Sequence, residues 1–600
     1  MKDVSVPPLV APRVAGNLSD LPVLNGASQP AKVAFCKPSS GTWIDVTNEE
    51  FLADVRALAK GLMASGIGLG DRVAIMSRTR YEWALTDFAI WMAGAVSVPI
   101  YETSSALQVS WIVKDTTCCA VILETPTHAR ILTEATADVL ERPEVWQIDS
   151  GGLDDLKAAG IEITDEALEA RRSQVSRADV ATIVYTSGTT GRPKGCQLTH
   201  DNFMALAENA TESMKMVVCA EGASTLLFLP LAHVFARFIQ VVCVHAGVRM
   251  GFTSDAKTLI ADFGTFSPTF ILSVPRVFEK IYNSAQQKAV SEGKGRGKIF
   301  RAAAATALAW SQAQESDELG PLLKARHVFF DRLVYGKLRA AMGGKVGYAV
   351  SGGAPLGAPL GHFYHGIGIT VLEGYGLTET TAPATLNTPD LIKIGTVGTP
   401  LPGVAIQIAH DGEILIKGNN VMSSYRNNET ATREALVDGW FHTGDLGELD
   451  EQGFLKITSR KKELLITAGG KNVVPALLED RLRANPLVSQ CIVVGDQKPF
   501  IGALITLDEQ MLPSWAKNNG LRNLSLDDAR TNDVVHAELK RAVDNANKAV
   551  SKPESIRKFA VLTGDFTEDN GYLTPSLKLK RNLVLKDYAS EVEALYAEPR

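Results

Sequence analysis

Six hundred residues exceed what one hydrophobic core sustains, so two or more domains are expected. Hydrophobic residues at 45% and charged residues at 21% are the composition of a globular chain, and a net charge of −6 argues against a general nucleic-acid binder. The seven cysteines are scattered, with no C-x-x-C pair and no histidine at zinc spacing, which favours reduced intracellular thiols over a disulfide framework.

Residues 1–33 are Pro-rich and patternless and read as a loose tail without a secretory signal, so a cytoplasmic protein is expected. From about 45 to 150, helix-like segments alternate with the short apolar strands "DRVAIMS" and "CCAVILE", the pattern of a parallel α/β sheet. The most apolar window, "WALTDFAIWMAGAVSVPI" (Trp83 to Ile100), contains Asp87 and ends strand-like, so it reads as a core helix followed by a buried strand.

The segment "VATIVY" (Val180 to Tyr185) reads as a buried strand that enters "TSGTTGRPKG". That loop combines glycines, four hydroxyls and Lys194, the materials of a phosphate cradle. It is not a Walker A loop, because Pro193 stands where the second glycine belongs. The alternation recurs from about 180 to 400, where "TLLFLPL", "PTFILSVP", "KVGYAVSGGAPLG" and "GITVLEGYGLTET" are strands ending in Gly- or hydroxyl-rich loops. Ligands of open α/β sheets bind outside the carboxyl ends of the strands, so one site assembled from several loops is expected. Between these strands, "GKGRGKIFRAAAATALAW" (Gly293 to Trp310) reads as a basic solvated loop leading into a packed Ala-rich helix, with contact to an anionic membrane surface as the alternative.

After about 400 the pattern becomes short strands with turns, a small β region. Charges cluster at "SRKKE", where the domain boundary is placed, and "PALLEDRLRANPLVSQCIVVGD" opens a smaller domain as helix then strand. Residues 508–533 are polar and look like an insertion. The fold class is therefore α/β. A large N-terminal domain (1–459) of parallel-rich sheets with a small β region is joined by a hinge (460–463) to an α+β C-terminal domain (464–600).

The loop at 185–195, "YGLTET" (Tyr375 to Thr380), "GWFHTGD" (Gly439 to Asp445) with "SRKKE", and "LTPSLKLKR" (Leu573 to Arg581) together resemble the adenylate-forming superfamily, in its order and spacing. "YETSSA", "SVPRVFEKIY" and "ITAGGKNVVPA" are similar to its bacterial long-chain fatty-acid–CoA ligases, and the match runs from about residue 40 to the end. The resemblance implies two half-reactions: a fatty-acid carboxylate and ATP give an acyl-adenylate and pyrophosphate, then the thiol of coenzyme A displaces AMP. The alternative within the superfamily is a fatty-acyl-AMP ligase that hands its adenylate to a carrier protein.

The resemblance also assigns roles. Thr186, Ser187, Gly188, Thr189, Thr190 and Lys194 hold the ATP phosphates. Lys578 bridges carboxylate and α-phosphate, with Lys580 its rival on charge alone and Leu577 standing where glycine is common. Glu379, beside Thr378 and with Thr186, serves Mg²⁺. Asp445 takes the ribose hydroxyls with Arg460 nearby, while Gly353, Ala354, Glu373, Gly374 and Tyr375 frame the adenine. His233 lies near the carboxylate, and the acyl tunnel is expected between "HVFARF" and "SVPRVF". Lys462 sits at the hinge, about which the small mobile domain rotates to bring Gly469, Gly470 and Lys471 to coenzyme A. Relatives often carry a lysine where this chain has Ile466.

Overall fold

The computed structural model describes residues 2–186, 192–255, 258–521, 524–568, 570–574 and 579–597. Ser187, Gly188, Thr189, Thr190 and Lys578 thus lie outside the described residues. The expected α/β architecture is present. A seven-stranded sheet runs in the order Ser424–Tyr425, Lys194–Thr199, Val180–Thr186, Val96–Ile100, Arg72–Met76, Ala120–Leu123, Glu144–Gln147. Its last five strands are parallel. Val73 to Met76 are all buried, as a parallel strand covered on both faces requires.

A five-stranded sheet joins Phe270–Ser273, Tyr348–Ser351 and Thr370–Leu377 in parallel, then turns antiparallel through Ala382–Leu386 and Thr399–Pro400. A four-stranded sheet is built on Ser224–Leu227 and Arg249–Phe252. The small β region is an antiparallel sheet containing Val404–Ile408, Glu413–Gly418, Trp440–Leu449 and Leu455–Arg460.

The apolar window at 83–100 is a helix, Tyr81–Met92, in which every residue but Glu82 is buried, followed by the strand Val96–Ile100. Asp87 is fully buried, where Arg237 of the helix Val234–Ala246 donates Nε–H to its Oδ2 at 2.8 Å. The same guanidinium donates to Thr182 and Ser97 and lies over the rings of Trp83 and Trp91. A paired, fully hydrogen-bonded ion is how a charge survives in a core. No helix among the described residues is long and apolar enough to cross a membrane.

One sequence expectation changes. The tail is not loose: Lys2–Ser5 adds an antiparallel strand to Val404–Ile408, Asn209 Oδ1 accepts the backbone N–H groups of Leu9 and Val10, and Leu18 and Leu21 are buried. An edge strand of four residues carries no periodicity to read, and the prolines after it mask it further. The polar stretch 508–533 is likewise packed, since Leu512, Trp515, Ala516 and Ala529 belong to a core. The Ala-rich segment after Gly293 is the helix Lys294–Glu315, which buries Phe300, Ala303 and Ala307 and so has its apolar side inside.

The C-terminal unit folds around its own apolar clusters, drawn from residues between 465 and 596, whereas the clusters of the large body end at Ile457. Its centre is a three-stranded sheet, Val488–Val494, Ile501–Leu507 and Ile556–Val561, covered by the helices Pro475–Arg483 and Asp533–Asn547. Arg276 of the large body pairs with Asp508 at 3.4 Å, and Asn518 donates to Gln287 at 3.1 Å.

Candidate active site

A cavity of about 2890 Å³ lies between the large body and the C-terminal unit. Strand ends from three sheets open on it. Thr186 and Lys194 come from the seven-stranded sheet, Gly353 and Glu373 to Glu379 from the five-stranded sheet, and Asp445 and Arg460 from the antiparallel one. This is the assembly from several loops expected from the sequence.

Asp445 and Arg460 face each other across adjacent antiparallel strands. Arg460 Nε is 3.0 Å from Asp445 Oδ1, and the Tyr375 hydroxyl donates to Oδ2 at 2.7 Å. Burial, reinforced by the Asp445 charge, pushes the Tyr375 phenol far above its ordinary range and keeps it a donor. A carboxylate offers about four lone-pair positions, so one corner can hold both partners and still accept from vicinal hydroxyls.

Glu373 is buried two residues before Tyr375, and its Oε2 accepts the Leu356 N–H at 3.1 Å. Burial pushes its carboxyl up to about 7. The strand here approaches its neighbour closely. A Cβ on Gly376 would stand 1.7 Å from the Ala382 carbonyl oxygen, which only glycine avoids. Gly353 has φ +85°, a left-handed conformation that turns the chain beside the cavity.

Beyond Gly376 the chain makes a single helical turn, Thr378–Thr380, then takes positive φ at both Thr381 (56°) and Ala382 (82°). Two successive non-glycine residues in this region are strained, and such strain persists where surrounding bonds over-determine it. Thr381 donates to the Asn420 carbonyl at 2.8 Å, and Asn420 donates back to that of Thr380 at 3.2 Å. The turn presents Glu379, whose Oε1 accepts from the Tyr425 hydroxyl at 2.7 Å. Lys194 Nζ stands 4.8 Å from the centre of the Tyr425 ring. Tyr425 thus joins the loop lysine to Glu379. Sequence reasoning missed it, because "SSYRN" has no local feature that marks it.

His233 caps the helix Val234–Ala246, its Nδ1 accepting the Phe235 N–H at 3.2 Å, so in the neutral ring the proton sits on Nε2. Phe235, Phe238, Ile239 and Val242 follow along one face of that helix and line an apolar arm of the cavity, facing Met214, Val217 and Val218. Val274, Pro275 and Arg276 also line the cavity, so both segments expected to bound the tunnel border it.

The C-terminal unit contributes unevenly. Leu573, Thr574, Leu579 and Lys580, which flank Lys578, line the cavity, and so does Lys462. Gly469, Gly470 and Lys471 do not. They form the turn between Leu465–Ile466 and Asn472–Val473, with Gly470 at φ +75°, and Lys471 Nζ pairs with Glu554 at 3.3 Å. Thr186, Lys194 and the expected nucleotide-side residues are therefore brought together, while Gly469, Gly470 and Lys471 stay apart from them.

Among the described residues no cluster of three or more His, Cys, Asp or Glu side chains could hold a metal ion. A single carboxylate such as Glu379 fits Mg²⁺, which takes few protein ligands and draws the rest from phosphates and water.

Residues 24–426 match the AMP-binding enzyme family, and residues 462–600 match the AMP-binding enzyme C-terminal domain. The long-chain-fatty-acid–CoA ligases FadD15 of Mycobacterium bovis and Mycobacterium tuberculosis are each 50% identical over 603 residues, covering 99% of this chain and 100% of theirs. Among solved structures, the anthranilate CoA ligase AuaEII in complex with anthranoyl-AMP superposes with a TM-score of 0.73 at 18% identity, covering 97% of this chain and 99% of that one. This last likeness speaks to the fold alone.

Proposed function

Since this chain belongs to the AMP-binding enzyme family, we propose that it is a long-chain fatty-acid–CoA ligase working through an acyl-adenylate. Its substrates are ATP, a long-chain fatty acid and coenzyme A, with Mg²⁺ as the metal. The observation that carries this reading is the convergence on one cavity of the Asp445–Arg460–Tyr375 corner, the Glu379–Tyr425–Lys194 corner and an apolar arm.

In the first step a carboxylate oxygen attacks the α-phosphorus, the bond to the bridging oxygen breaks, and pyrophosphate leaves. Both reactants are anions, so the residues must neutralise charge before they can position it. Thr186, Lys194 and the hydroxyls of the 187–190 loop hold the departing phosphates, and Lys578 screens the carboxylate from the α-phosphate. Asp445 anchors the ribose through its free lone pairs, and Arg460 and Tyr375 fix the orientation of that carboxylate. His233, which lines the cavity beside the apolar arm, orients the fatty-acid carboxylate. Glu379, with Thr186, would hold Mg²⁺, which would supply charge neutralisation at the phosphates. In the second step the thiol sulfur attacks the acyl carbon, the acyl–phosphate C–O bond breaks, AMP leaves and the thiol proton passes to solvent. Lys462 and Gly469 to Lys471 serve this step after the C-terminal unit turns about residues 460–463.

The test is product analysis with ATP, Mg²⁺, coenzyme A and a ladder of straight-chain acids. Thioester formation that rises towards long chains is expected. Adenylate accumulating without thioester would transfer the reading to a fatty-acyl-AMP ligase, and absence of nucleotide turnover with every acid would overturn it.

A further inference from the structure

Four of the large apolar side chains that the fold leaves in water fall on one helical element that packs against the Ala-rich helix. The helix Pro321–Phe330 and its continuation through Tyr335 expose Leu322 (73%), Val328 (55%), Phe329 (61%) and Leu333 (38%). Leu322, Phe329 and Leu333 are seven and four residues apart, which sets them along one side of a helix. The opposite side is fixed to the body. Phe330 and Tyr335 are buried, the Tyr335 hydroxyl donates to the Ala303 carbonyl at 2.7 Å, and the His327 ring stacks on Trp310 at 4.0 Å. The exposed residues are thus held outward on a rigid support, not on a frayed end.

Charge sets the chemistry of what covers them. Residues 319–345 carry six cations, Lys324, Arg326, Arg332, Lys337, Arg339 and Lys345, against one carboxylate, Asp331. That carboxylate is already taken by Arg339 at 2.7 Å. Acidic residues (Glu315, Asp317, Glu318) precede the helix, but none other lies within the segment. A chain with a net charge of −6 has therefore gathered an apolar stripe inside a cationic rim. Scattered exposed apolar residues are ordinary, whereas a contiguous set with such a rim marks an interaction surface. A two-fold contact between copies would set this cationic patch against itself, which like-charge repulsion disfavours. A bilayer with anionic headgroups matches both features, taking the apolar face into the acyl boundary and the cations among the phosphates.

We propose that the helical segment Pro321–Ala341 docks this protein on an anionic lipid bilayer, with Leu322, Val328, Phe329 and Leu333 entering the surface and Lys324, Arg326, Arg332 and Lys337 contacting headgroups. The helix Lys294–Glu315, against which the segment packs, lines the active-site cavity with Ala304, Ala305 and Leu308. Docking therefore brings the cavity to the phase in which long-chain acids partition. That purpose rests on the ligase reading; the binding itself does not.

The experiment is co-sedimentation of the full chain with phosphatidylglycerol-containing vesicles and with pure phosphatidylcholine vesicles, together with turnover of a short-chain acid in solution. The wild type is expected to favour the anionic vesicles. Leu322→Ser/Phe329→Ser/Leu333→Ser should bind them about tenfold more weakly or worse, from the apolar area withheld. Lys324→Gln/Arg326→Gln/Arg332→Gln should lose the preference between the two vesicles. Both variants should keep solution turnover, which shows that they fold. Wild-type binding to neither vesicle, or equal binding by the apolar variant, would overturn the proposal. So would a sedimentation mass that falls from dimer to monomer in that variant, since a second copy would then own the face. Vesicle binding by a protein that turns over no acid would sink the ligase reading and leave the docking surface standing.

Discussion

The nucleotide side of the cavity and the C-terminal unit are organised in opposite ways. On the nucleotide side, Tyr375, Asp445 and Arg460 come from two sheets of one body, and the first and last meet on the buried Asp445 carboxylate. The C-terminal unit instead holds two candidate loops on one small core, and among the described residues only the flanks of one of them reach the cavity. Leu573, Thr574, Leu579 and Lys580 are there, while Gly469 to Lys471 are engaged elsewhere, with Lys471 on Glu554. On the proposed reading, this corner serves both half-reactions, the two loops serve them in turn, and the orientation seen here suits adenylate formation.

That contrast is broken most directly by separating the half-reactions. Lys578→Ala should slow adenylate formation on the order of 100–1000-fold, the effect of removing one placed charge from the transition state. It should leave thioester formation from supplied acyl-adenylate nearly intact. Lys471→Ala should do the reverse and more mildly, lowering thioester formation about tenfold with adenylate formation unchanged. Burst measurements of pyrophosphate and acyl-CoA on both variants decide the matter, and equal losses in both halves for either variant would contradict the division of labour.

Next in size is the corner itself. Asp445→Asn keeps the shape but removes the charge that Arg460 and Tyr375 share. Hydrogen bonds to charged groups are worth about 1.5–3 kcal/mol, so the KM for ATP should rise about 10–100-fold in both half-reactions' shared nucleotide site. A variant whose AMP and ATP affinities match the wild type would show that the corner is structural only.

The smallest effect concerns stability. Burial raises the Glu373 carboxyl to about 7, well above an unfolded value of about 4.3. The folded state therefore favours the protonated form. The stability this contributes is complete below about pH 4.3 and is lost as pH rises through about 7. Glu373→Gln removes the charged form altogether, so its melting temperature should exceed the wild type's at about pH 8 and equal it near pH 4. A gain independent of pH would mean that packing, not ionisation, governs the position.

Much of this was legible without a structure. The strands ending in polar loops, the helix-then-strand reading of Trp83 to Ile100 and the opening of the C-terminal unit at Pro475 rest on local periodicity, and local periodicity survives in a single sequence. The motifs at 185–195, 375–380, 439–445 and 573–581 likewise carried the resemblance to the family, and that resemblance implied the order of the chemistry. What only the tertiary structure decided are the pairings across long stretches of chain. Tyr425 reaches Glu379, Arg237 neutralises Asp87, and the amino-terminal strand finds Val404–Ile408. The packing of 508–533 and the outward face of Pro321–Phe330 belong with them. Each depends on which surfaces meet, and burial, hydrogen bonding between distant strands and the exposure left over are set by that meeting rather than by the residues on either side.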